Sequence, residues 1–111
     1  MITERKIVAY KTYFKDFLDT LTEKEERKIF YILDMLKMRE RLSTKFVKHL
    51  DDGLYELRAE YNGNIYRMFF CFDEGQIVIL FNGFQKKSQK TPQNEIDKAM
   101  RIKKEYYESK G

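Results

Sequence analysis

Apolar residues recur along this chain with two different periods, and the change of period divides it. Tyr13, Phe14, Phe17, Leu18 and Leu21 fall at helical spacing, as do Ile29, Ile32, Leu33 and Leu36. Thr22 followed by Glu25 is a capping-box signature, so a second helix is predicted to start there. The link is so short that the two helices are expected to form an antiparallel hairpin. Lys37, Arg39 and Arg41 close it, where cations suit the negative pole of a helix. From Gly53 the pattern shifts to runs of Tyr, Phe, Ile and Val separated by Asn62-Gly63 and Asp73-Glu74-Gly75. Asn and Gly accept the positive φ of tight hairpins, so an antiparallel three-stranded meander is predicted.

The flanks complete the outline. Arg5 to Tyr10 reads as a short first strand. Thr91-Pro92 opens a last helix, with Thr91 as N-cap and Pro92 at the first helical position. Its stripe of Ile96, Ala99, Met100 and Tyr107 is narrow, which predicts weak docking. Ser43 to Leu50 shows no clear period. The expected fold class is α+β: a short N-terminal strand, a helical hairpin, the meander and a C-terminal helix. Residues 1–111 form a single domain in this reading.

Alternation within the strands assigns faces. Tyr55, Leu57, Ala59, Tyr66, Met68, Phe70, Ile77, Ile79 and Phe81 are expected on one apolar face beneath the helices. Glu56, Arg58, Glu60, Arg67 and Asn82 fall on the other, beside Phe69, Cys71, Val78 and Leu80. A two-residue turn at Asn62-Gly63 sets Tyr61 opposite Asn64 and therefore Arg58 opposite Arg67. Like charges so placed repel, which points to an anion between them.

Composition narrows the options. The net charge is +4 and the pI near 9.1, a mild preference for anionic partners. No apolar run approaches the roughly 20 residues of a membrane helix. The N-terminus lacks the apolar segment of a signal peptide, and the single Cys71 forms no internal disulfide, so a cytoplasmic protein is expected. One His and one Cys do not make up a zinc site of the usual ligands, and no metal or cofactor is expected. Nucleophile elbows and phosphate loops are absent from the sequence.

What remains is a cationic set of Lys48, His49, Arg58, Arg67, Lys86, Lys87 and Lys90, with tyrosines nearby. RNA can be cut without metal by its own 2′-OH. That reaction needs a proton acceptor, a proton donor and positive charge on the phosphorane. Arginine binds phosphate bidentately, and a lysine crowded by cations loses proton affinity. The competing reading pairs Arg58 with Glu56 or Glu60 and leaves the lysines as a solvated edge. Lys86 shares the arginine face if no bulge follows Asn82; a bulge at Gly83 exchanges it with Lys87.

GLYELR (Gly53 to Arg58), NIYRMFF (Asn64 to Phe70) and NGFQKKSQKTPQNEIDKA (Asn82 to Ala99) resemble the HigB-like branch of the RelE/ParE toxin family. The resemblance covers about two-thirds of the chain. It implies a strand, two helices and a meander sheet, and a ribosome-dependent messenger RNA endonuclease. The implied partners are the ribosome, messenger RNA and an antitoxin, commonly a helix-turn-helix protein. Carried over by position, Arg58, Arg67, Lys86 and Lys87 are the candidate catalytic residues. Lys45, Lys48, His49 and Lys90 are candidates for RNA binding, with His49 standing where lysine is common. Two alternatives stay open: a ParE-like toxin that poisons a topoisomerase, and a non-toxic RNA-binding module of the same fold.

Overall fold

A computed structural model describes residues 4–38, 45–74, 77–86 and 91–110. The elements run β1 (Ile7–Ala9), α1 (Tyr13–Leu18), α2 (Glu23–Lys37), β2 (Val47–Asp51), β3 (Leu54–Tyr61), β4 (Asn64–Asp73), β5 (Ile77–Lys86) and α3 (Gln93–Lys110). The strands form one sheet in the order β1-β5-β4-β3-β2. β1 joins β5 in parallel, and the other pairs are antiparallel.

The expected α+β order holds, with one strand more than the sequence pattern predicted. β2 lies in the segment that showed no period. It pairs with β3 from Val47 opposite Leu57 to Asp51 opposite Leu54, with an irregularity between His49 and Asp51. That irregularity breaks the alternation that would have revealed a strand. Asp52 and Gly53 turn the chain with φ of 48° and 77°. The Asn62-Gly63 turn uses φ of 53° and 83° and sets Tyr61 opposite Asn64, as predicted. Arg58 therefore faces Arg67.

The helices cover both faces of the sheet. α1 and α2 lie over one face, where Phe14, Phe17, Ile29, Ile32 and Leu33 pack with Leu57, Ala59, Tyr66, Met68 and Phe70. The Thr22–Glu25 capping box that starts α2 is present in both directions. The Tyr66 hydroxyl donates to Glu25, tying that helix start to β4. Burial and the carboxylate acceptor push the Tyr66 phenol up to about 12.

α3 covers part of the other face. Ala99 and Ile102 pack with Leu54, Phe69, Cys71, Ile79 and Phe81. Its far end is fixed by Asp73, which accepts from the Tyr106 hydroxyl at 2.5 Å and from Lys110 at 2.6 Å. This helix docks on a second apolar core, more firmly than its narrow stripe predicted.

Two local expectations are corrected. Asp73 stands opposite Ile77, so three residues connect β4 to β5. Phe72 then faces Val78 and Phe70 faces Leu80, which puts Val78 and Leu80 under α1 and α2. Ile79 and Phe81 turn to α3, the reverse of the predicted faces. At the helix start, the Pro92 carbonyl accepts from the N–H of Ile96 at 3.3 Å, so Pro92 rather than Thr91 caps α3. The Thr91 hydroxyl is engaged elsewhere, on Glu56.

Candidate functional site

The α3 side of the sheet also carries charged residues, arranged in rows by strand register. Lys48, Glu56 and Phe69 form one row across β2, β3 and β4. Arg58, Arg67 and Phe84 form the next across β3, β4 and β5, and Glu60, Ile65 and Lys86 the third. Lys86 reaches this face through two parity changes that cancel. The three-residue connection inverts β5, and a bulge inverts it back, since Met68 faces Gly83 while Phe70 faces Leu80.

Ion pairs hold the cluster. Arg67 Nη1 donates to Glu56 Oε1 at 2.7 Å, and both side chains are largely buried. The Thr91 hydroxyl donates to Glu56 Oε2 at 2.9 Å, so the first described residue after β5 is tied to the same carboxylate. Arg58 Nη2 donates to Glu60 Oε1 at 2.8 Å. Both Nε atoms are buried, and neither has a hydrogen-bond partner among the described residues. The carboxylates were foreseen only as competitors for Arg58. Glu56 is instead at the centre, 2% exposed and cross-strand from Lys48.

The electrostatics follow from that packing. The Lys86 ammonium is pushed below the ordinary lysine range, first by loss of water and then by Arg67. Glu56 opposes the shift, while Arg58 and Lys48 add to it. Burial also lowers Arg67, with Glu56 acting the other way. A guanidinium starts so high that it stays charged. The face can therefore hold an anion on fixed charge while one ammonium gives up its proton more readily than usual.

The remaining candidates separate. His49 faces Tyr55 in register, their rings 5.0 Å apart, on the sheet face opposite Lys48 and the arginines. Lys45 precedes β2, with its ammonium 5.8 Å from the Phe46 ring. Lys87 and Lys90 lie outside the described residues. Among the described residues, no group of three or more His, Cys, Asp or Glu is placed to hold a metal ion. No described helix is long and apolar enough to cross a membrane. Cys71 is buried beneath α3, 3.8 Å from the Tyr107 hydroxyl, and burial raises its thiol.

Comparison with known proteins adds a family. No curated protein sequence matched the chain. The pattern of phage-derived Gp49-like proteins (DUF891) matches residues 16–104, which run from within α1 through most of α3. The chain belongs to this phage-derived Gp49-like family, a RelE/toxin-like family.

Proposed function

We propose that this protein is the toxin of a toxin–antitoxin pair and a ribosome-dependent, metal-independent messenger RNA endonuclease of the HigB-like kind. One observation supports the reading most: Lys86, with lowered proton affinity, shares a sheet face with Arg58 and Arg67. In the reaction, the RNA 2′-OH gives its proton to solvent water as the 2′-oxygen bonds to the adjacent phosphorus, and the bond to the 5′-oxygen breaks, leaving a 2′,3′-cyclic phosphate. Arg67 and Arg58 stabilise the charge on the phosphorane. Lys86 gives a proton to the departing 5′-oxygen, and Lys48 extends the charge along the strand. Glu56 orients Arg67 rather than touching RNA. A cytoplasmic location and restraint by an antitoxin complete the proposal.

Induction in a bacterial host is the test. Growth arrest with cleavage within translated messages, reversed by the co-expressed antitoxin, is expected. Inhibited supercoiling with intact messages would move the protein to the topoisomerase-poisoning class.

A further inference from the structure

β1 ends at Ala9 beside Leu80, so β5 beyond that point has no described strand on its outer side. α1 and α3 flank this open edge and leave a cavity of about 330 Å³, within the range of small-ligand clefts. Phe84 lines the cavity and also stands opposite Arg67, so cavity and cationic face meet at one ring. The floor is tight: a Cβ on Gly83 would lie 2.7 Å from the Phe17 ring.

The chemistry of the walls differs from that of the sheet face. Asp16 and Glu95 outnumber Lys98, which disfavours phosphate inside. Tyr13 and Phe84 offer aromatic rings. Asn82, at the β5 bulge, is 2% exposed, and neither its amide oxygen nor its nitrogen has a hydrogen-bond partner among the described residues. A buried amide with both groups unmade is unfavourable until something pairs with it. A carboxamide presents a donor and an acceptor side by side, complementary to a base edge.

We propose that this cavity holds one nucleobase of an RNA strand whose phosphate lies on the cationic face. The identity of the ligand rests on the endonuclease reading. The base enters beside Phe84, stacks on an aromatic ring and reaches the Asn82 amide by displacing the side chains that seal it. The carboxylates accept from exocyclic amino groups, so adenine, cytosine and guanine are favoured over uracil.

The test titrates AMP, CMP, GMP, UMP and ribose 5-phosphate into the ¹⁵N-labelled full chain. The Asn82 side-chain NH₂ resonances should shift with AMP, CMP and GMP, less with UMP and not with ribose 5-phosphate. Asn82→Leu, close in shape and free of unpaired polar atoms, should keep the fold and ribose 5-phosphate binding while weakening the binding of all four nucleotides toward that of ribose 5-phosphate. Identical shifts with ribose 5-phosphate, no shift at Asn82 with any nucleotide, or nucleotide affinities in Asn82→Leu equal to wild type would each overturn the inference. Intact messages after induction would instead sink the endonuclease reading, while the titration still judges the cavity.

Discussion

Arg58 and Arg67 stand directly opposite each other across β3 and β4, and each is held by a different carboxylate. The pairs are not equivalent. Arg58–Glu60 is partly solvated, with Glu60 about half exposed, and an exposed pair adds little stability. Arg67–Glu56 is buried, so removing either partner leaves an uncompensated charge in the protein. The carboxylates let two guanidiniums share one face before any phosphate arrives.

That difference sets the outcome for Arg67→Ala. Sequence alone suggests relief of repulsion and unchanged or slightly higher stability. The buried Glu56 partner reverses the sign: the substitution should cost about 3–5 kcal/mol as well as cleavage. Urea unfolding measures the cost. Replacing both Arg67 and Glu56 with Leu should recover much of the stability without restoring cleavage. A single Arg67→Ala variant as stable as wild type would mean the pair contributes nothing to the fold.

Glu56→Gln should shift the pH dependence of cleavage. The Glu56 carboxylate raises the Lys86 pKa, so its neutralisation lowers it further. If protonated Lys86 donates to the leaving oxygen, the alkaline limb of the pH–rate profile moves to lower pH. Thermal melting under the same conditions separates this shift from unfolding. An unmoved alkaline limb in a folded variant would remove Lys86 from the proton-transfer step.

The far end of α3 carries its own pH dependence. Lys110 and then Tyr106 hold the Asp73 carboxyl below its ordinary value. Its folded pKa is depressed, so its contribution is present above the unfolded carboxyl value and fades as pH falls through the folded one. Lys110 is raised by Asp73, so its share is present below the ordinary lysine value and fades as pH rises through the folded one. Asp73→Asn should flatten both limbs of the stability profile and speed hydrogen exchange in α3. Unchanged profiles and exchange would mean that the Asp73 contacts do not hold the helix end.

The legible parts of the fold were those fixed by local chemistry. Asn62-Gly63 set the β3–β4 register because its φ values admit few alternatives, and Thr22–Glu25 marked α2 because the box closes within one turn. β2 was hidden by its shortness and by the irregularity after His49. The faces of β5 depended on whether its preceding connection held an odd number of residues, which composition does not settle. In the site, the opposed arginines followed from that register. The central place of Glu56 did not, because its contact with Thr91 joins positions 35 residues apart. His49 matches by residue position, but parity sets it on the other face from Lys48, since one step along a strand changes the face.

Met68 and Lys86 separate fold from chemistry. Met68 is fully buried beneath α1 and α2, so Met68→Asp puts an unpaired charge into that core and should unfold the protein. Lys86 lies on the face opposite that core, so Lys86→Ala should fold normally. If Lys86 only attracts RNA, its loss weakens binding and reduces the salt slope by roughly 1, with chemistry on bound RNA near wild type. If it transfers a proton, cleavage of fully bound RNA slows by about 10²–10⁴-fold. The lowered ammonium beside Arg67 favours the second outcome. Single-turnover cleavage of saturating ribosome-bound message decides between them. A binding-only defect would leave Arg58 and Arg67 to carry the mechanism through charge alone, with the proton coming from outside this face.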